Sequence, residues 1–533
     1  MLFVALLAIL VPLVCVVALR MPAKIGMTIS AAVVGLVALT VWQMTPIAIS
    51  ASIAQALHRA MTIGFILFGA ITLLKTLQET KALDRIKVGF HAISTDMRIQ
   101  TVLVAFAFVA LLEGISGFGT PAIIAAPLLV ILGFSPVAAV VLVLLGDTVG
   151  VTFGAVGTPL IVGLENVPNY SDSLTWSVGA QVAVFDLIIG TLLPLALVSI
   201  LVVLFSKLTA KAKFHSIIEI TPWALLVGLV YAVTAFVTVR LVGPEFTAII
   251  AGSVALIFGI ITARYNIGTP RNIWRHHAKT FAKEQKLEVE TSKIPLWKAW
   301  LPYGIVIFLL LITRTVPVVK QFATSAVTAN WNQIFGVSGI NSSWEILYSP
   351  GMILLIGAIC AALIGAKSLK PLKFSLKEAF KTVLGALSAL VPTLIMVQIF
   401  TNSGINSSEL VSMPIYIGEK LAEMLGELWI AGAPLLGTIG AFIAGSSTVS
   451  TLTMGPVQAS IAELANLPLI LVLALQMVGA AAGNIIAIHN VVSATTVVGL
   501  TNREGIVMRK LIIPTICYVL LAIIIGFVII NTT

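Results

Sequence analysis

Ionisable residues are so scarce in the apolar parts of this chain that the few present mark where chemistry is available. Glu113, in EGISGFGTP, and Asp147, in LLGDTVG, both interrupt long apolar runs. A charge in hydrocarbon is costly and is retained for a function by default. Either carboxyl is a candidate carrier of a coupling proton, because burial disfavours its charged form. For Glu113 the competing reading is a brace that caps the adjacent break through backbone N–H groups. Asp186 sits in an unbroken apolar run, where a structural hydrogen bond is the expectation. His489, in GNIIAIHNV, can donate to a carboxylate or titrate near neutral pH; the plainer reading is a packing residue. His58 and Lys75 fall near the ends of an apolar run and are expected to snorkel to the interface.

These groups stand beside two sets of breaks that run in the same order. EGISGFGTP (Glu113–Pro121) is followed by GFSP (Gly133–Pro136) and FGAVGTP (Phe153–Pro159). AGSSTVS (Ala444–Ser450) is followed by ANLP (Ala465–Pro468) and GNIIAIHNV (Gly483–Val491). Non-helical backbone survives inside a bilayer only where protein or a wet cavity surrounds it. Glycine permits the dihedrals of a break, and proline starts a helix without orphaning an N–H. Gly119-Thr120-Pro121 therefore reads as a hairpin tip entering a helix, and Gly157-Thr158-Pro159 as a second such turn. The free N–H groups of such N-termini suit a carboxylate. Gly117, Gly119, Thr120 and Thr158 of the first set are candidate substrate contacts. Ser446, Ser447, Thr448, Asn484, His489 and Asn490 of the second set supply hydroxyls, amides and an imidazole. Small residues that merely let helices pack closely are the competing explanation. Paired broken helices in matching positions point instead to a transporter's binding site. A site built this way has no Arg or Lys clamp.

The elements that must hold these groups follow from composition. Of 533 residues, 59% are hydrophobic and 10% charged, with a mean hydropathy of +1.10. Apolar runs long enough to cross about 30 Å of hydrocarbon recur throughout. The expected fold is an all-α polytopic membrane protein with about 12–14 membrane segments. Spans are expected near 2–19, 25–41, 60–78, 178–205, 222–239, 246–263, 299–313, 350–366, 382–400 and 511–530. The first run has no preceding Lys or Arg, unlike a signal peptide, and reads as a retained helix. Cys15, Cys360 and Cys517 lie in apolar runs without metal spacing.

The net charge of +10 is concentrated in certain loops, which makes it a topology signal and not a nucleic-acid footprint. Arg20 and Lys24; Lys81, Arg85, Lys87 and Arg98; Lys207, Lys211 and Lys213; and residues 264–298 belong inside. So do Lys367 to Lys381 and Arg503 to Lys510. The connections 163–173, 240–245, 314–349 and 401–427 belong outside, as do both termini. The broken regions, about 99–162 and 431–500, then enter from opposite faces as an inverted-topology repeat, each with a re-entrant hairpin and a broken helix. The halves are 1–263 and 299–533. The basic linker 264–298 is either a surface helix built on Lys279, Lys283, Glu284, Lys286 and Glu288 or a solvated tether.

The blocks EGISGFGTPAIIAAPLLVILGFSP, FGAVGTP and GNIIAIHNVVSATTVVGLTNREG, leading into RKLIIPT, resemble the lactate permease family of bacterial carboxylate transporters. The resemblance covers nearly the whole chain. It implies symport of L-lactate, D-lactate or glycolate with protons across the bacterial cytoplasmic (inner) membrane. It also suggests kinship with elevator-type transporters. Family members with Ser-Pro-Gln-Ser in place of Ala487, Ile488, His489 and Asn490 imply a substrate-side role for His489. Coupling then falls to Glu113 or Asp147. A sodium-coupled carboxylate carrier or cation antiporter of similar architecture is the alternative. No enzyme motif, metal cluster or cofactor signature is present. The expected partners are a small carboxylate, a proton and the lipid bilayer, with a homodimer left open.

Overall fold

A computed structural model describes residues 1–19, 21–117, 119–168, 170–274 and 294–532. The linker helix considered for Lys279 to Glu288 lies outside them. The described residues are helical throughout, with no strand beyond the isolated bridges Met44–Asn406, Thr328–Glu345 and Trp331–Ser342. Among them, nine helices are long and apolar enough to cross a bilayer. The count is ten if Pro136–Val151 and Gly154–Ile161, bent by 56° at a break, form one span.

Helices run past their apolar cores, because caps end a helix and hydropathy does not. The span expected at 60–78 lies in helix Pro46–Glu79, where the Thr45 hydroxyl accepts from Ala48 N–H and Pro46 occupies the first turn. The span expected at 382–400 is the second half of Lys370–Thr401. His58 is consequently inside a helix. It is buried, and Nδ1 lies 2.8 Å from the Ser342 hydroxyl, so it does not snorkel.

Two broken units occupy the interior. In the first, Val109–Ser116 ends at Gly117 (φ +56°) and Gly119 (φ +74°), and Thr120–Ile131 follows. A turn capped by Ser135 leads to Pro136–Gly146 and Thr148–Val151. The chain then breaks at Ala155, Val156 and Gly157, all left-handed. In the second, Trp429–Ala444 ends at Gly445 (φ +64°), and Ser446 caps Ser447–Leu464. Leu469–Ile486 follows and breaks at extended Ala487 before Ile488–Val497. Arm, glycine turn, arm, proline turn, long helix, break and short helix therefore occur twice in the same order.

Packing keeps the first unit away from the surface, whereas the second exposes Leu435, Leu464 and Ile470. In the most apolar 18-residue stretch of Met97–Ile115, 94% of residues are buried, against 33% in that of Glu504–Thr532. Asp172–Phe205 and Ala210–Leu241 expose Leu192, Val203, Leu226, Leu229 and Val233, an apolar face suited to lipid. Within the second unit, Gly437 and Gly479 bring Trp429–Ala444 and Leu469–Ile486 so close that any Cβ would meet a facing carbonyl oxygen. Arg98, counted above with the loop cations, is 1% exposed. It pairs with Asp96 at 2.7 Å and Glu219 at 3.2 Å and donates to the Ser216 and Asn272 carbonyls. It ties the start of the first unit to helix Ala210–Leu241.

Candidate functional site

The glycine turns bring the two units together. At Gly119 the left-handed backbone leaves room that a Cβ would fill 2.8 Å from Asn490 Oδ1, so the first tip touches the last break of the second unit. At Gly445 the His489 ring occupies the place a Cβ would take. The Asn490 amide donates to the Asn484 carbonyl (3.1 Å) and to Asn484 Oδ1 (2.7 Å), bracing the break from within.

Around this junction lies a cavity of about 430 Å³. Gly119 and Ile123 contribute from the first unit, and Gly445, Ser446, Val449, His489, Asn490 and Ser493 from the second. Helix Pro46–Glu79 adds Arg59, Thr62, Ile63 and Ile66, while Leu394 and Gln398 close another wall. The remaining wall is the loop after Ser325, which contributes Trp344, Glu345, Tyr348 and Ser349. That loop is pinned to the helix by the Gln55 side chain, donating to the Asn341 carbonyl at 2.6 Å, and by the His58–Ser342 bond.

A second cavity of about 20 Å³ is lined by Glu113, Gly117, Gly154, Ser446, Ser447, Thr448 and Asn484, among others. It has room for about one water or a small ion. Ser446 borders both cavities. Gly154 has no side chain because the Glu113 carboxyl lies where its Cβ would be. Glu113 and Asp147 are 4% and 2% exposed, and the two carboxyls are buried close enough to act on each other. Glu113 Oε2 and Asp147 Oδ1 have no hydrogen-bond partner among the described residues. Two carboxyls can hydrogen-bond only if one holds a proton, and Glu113 is the member of the pair that lines the small cavity.

Residues 2–532 match the family described as L-lactate permease. A Haemophilus influenzae relative is 30% identical over 500 residues, covering 89% of this chain and 88% of its own. The L-lactate permease of Bacillus subtilis is 27% identical, with 89% and 85% covered. The glycolate permease of Escherichia coli K12 is 25% identical, with 84% and 80% covered. The chain belongs to the L-lactate permease family. Family membership makes it a multi-pass membrane transporter and not an enzyme.

In this lactate permease homologue, the structure gathers Gly119, Ser446, His489 and Asn490 at the larger cavity. Gly117, Ser447, Thr448, Asn484 and Glu113 gather at the smaller one, with Ser446 shared. Thr120 and Thr158 line neither. Thr120 is fully buried, and the Thr158 hydroxyl donates to the Ala155 carbonyl at 2.5 Å, satisfying its own break. Asp147 stands behind Glu113. Asp186 is buried and makes no side-chain hydrogen bond among the described residues, so the bond expected for it is not formed. No group of three or more His, Cys, Asp or Glu suited to a metal occurs among the described residues.

The expectation of a site without an Arg or Lys clamp is overturned, because Arg59 lines the larger cavity. The available signal was a polar pair, His58-Arg59, only thirteen residues past Thr45-Pro46, a strong helix start. Reading the span as starting where the apolar run starts put Arg59 outside it. Trp344 and Gln398 were also missed, since a loop that folds back on a distant helix leaves no periodic trace.

Proposed function

We propose that this permease imports L-lactate and related small 2-hydroxymonocarboxylates, including D-lactate and glycolate, by proton symport with alternating access. The observation that carries the reading is the junction of both broken units at one cavity, with a buried carboxyl pair one seryl residue away. Gly119, Ser446, His489 and Asn490 contact the substrate. Glu113 and Asp147 carry the proton, and Gly117, Ser447, Thr448 and Asn484 link the two. Since Ser446 borders both spaces, substrate binding in one is felt at the other. Alternating access arises if the units are inverted-topology repeats and one half, 1–263 or 299–533, moves against the other across the cytoplasmic membrane. Matched element order and opposite loop charge support that arrangement, with both termini outside.

The small cavity favours one second reading. Hydroxyl and amide oxygens around a carboxyl also suit a sodium ion, which makes sodium coupling the alternative. Uptake of labelled L-lactate into proteoliposomes under separate proton and sodium gradients decides between them. We expect a proton gradient alone to drive uptake. Failure of both gradients to drive lactate or glycolate uptake would sink the reading.

A further inference from the structure

We propose that Arg59 is the carboxylate-binding group of the larger cavity, and that the cavity is therefore built for organic monoanions. The inference rests on the transport reading above for its biological sense, but its physical basis is separate.

Arg59 is half-buried on the fourth turn of the long helix Pro46–Glu79 and lines the 430 Å³ cavity. Its guanidinium has no hydrogen bond or ion pair among the described residues. Three other arginines are used differently. Arg98 is saturated by carboxylates and carbonyls. Arg240 donates to the Phe236 and Ala180 carbonyls and stacks on Phe236, and Arg509 donates to the Gly505 carbonyl. A half-buried cation without a protein acceptor is satisfied only by what enters the cavity. The fork geometry of a guanidinium matches a carboxylate with two parallel hydrogen bonds.

The surroundings restrict what that carboxylate can belong to. Ile63, Ile66 and Leu394 line the same cavity as Arg59 and suit a short carbon chain. His489 makes no hydrogen bond among the described residues, and Asn490 Oδ1 is turned toward the Gly119 tip. These two are left to meet a hydroxyl beside the carboxylate. Apart from the His489 imidazole, no second basic side chain lines the cavity, whereas Glu345 does. A second carboxylate would meet a like charge and no cation, at a cost set by poor screening inside a protein. A 2-hydroxymonocarboxylate satisfies every group, and a dicarboxylate does not.

The test is calorimetric titration of the full-length protein in lipid nanodiscs with L-lactate, glycolate, neutral lactamide, propionate and L-malate. The expected result is that wild type binds lactate and rejects lactamide and malate. Arg59→Gln should weaken lactate binding by about tenfold or more, as loss of a charge-assisted pair implies. Arg59→Lys should retain binding at a several-fold weaker level, because an ammonium keeps the charge without the fork. Glu345→Gln should narrow the gap between lactate and malate.

Wild-type lactate affinity in Arg59→Gln would overturn the assignment while leaving the transport reading intact. Conversely, if propionate binds in an Arg59-dependent way and neither lactate nor glycolate binds, Arg59 stands and the lactate reading falls. Lactamide or malate binding wild type as tightly as lactate overturns the monoanion claim. If Arg59→Gln does not fold, as judged by size exclusion, Arg59→Lys and the lactamide comparison still decide the matter. Unchanged lactate affinity in Arg59→Lys together with lactamide binding would overturn it.

Discussion

The two broken units share an element order and differ in what they carry. The first holds both members of the carboxyl pair, Glu113 and Asp147, and is packed on every side. The second holds hydroxyls, amides and an imidazole, and supplies most of the shared lining of the larger cavity. Their breaks also differ in backbone cost. The first passes through Ala155 and Val156 at positive φ, a conformation that is strained for a β-branched residue by about 1–3 kcal/mol. The second turns at extended Ala487, which any residue adopts, and at left-handed Gly445. On the proposed function, the proton is held where packing is tightest and the ligand where the break costs least.

The largest effect should come from closing the second unit's turn. In Gly445→Ala the new methyl has no space beside His489, and left-handed φ is unfavourable for it. Lactate uptake in proteoliposomes should be abolished. Gly119→Ala meets only Asn490 Oδ1 and should retain more activity. Equal uptake by the two variants would break the proposed asymmetry.

Next comes the carboxyl pair. Glu113→Gln removes the group that faces the small cavity but preserves its shape, so the protein should fold while uptake loses its response to an imposed pH gradient. Asp147→Asn, one step further from the cavity, should impair coupling less. Uptake and pH response that survive unchanged in Glu113→Gln would reduce Glu113 to a brace.

His489→Gln should have a milder effect. A glutamine can still hydrogen-bond a substrate but cannot carry a proton, so the concentration dependence of uptake should shift while its pH response persists. Loss of the pH response in that variant would move coupling to the second unit. The smallest effect is expected from Val156→Gly, which relieves left-handed strain. It should raise the thermal unfolding midpoint slightly or leave it unchanged, by about 1 kcal/mol at most. A clear drop would mean that the Val156 side chain contributes packing beyond its strain.

Legibility in the sequence followed how local each signal is. Gly117, Gly119 and Gly445 were readable because a positive φ is a property of one residue and its neighbours. Glu113 and Asp147 were readable because an acid in an apolar run is conspicuous against its surroundings. Their mutual contact was not, since it joins the arm Val109–Ser116 to the end of a different helix. Thr120 and Thr158 have the right chemistry in the right motifs. Their side chains turn away from both cavities because rotation about the helix axis, set by packing, decides which face a residue shows. His58 was misjudged, and Arg59 passed over, for a related reason. Hydropathy marks where lipid contact begins, and a helix can start fourteen residues earlier at a threonine cap.

By itself, the sequence determined that this is a helical membrane protein, where its helices break, and which family it belongs to. Burial cost, glycine and proline punctuation and motif order act over a few residues at a time. Tertiary structure alone decided that the two breaks meet, that Ser446 lies between a large and a small cavity, and that Arg59 enters the site beside Trp344. Those facts depend on contacts between segments hundreds of residues apart, and no local pattern encodes which faces will be pressed together.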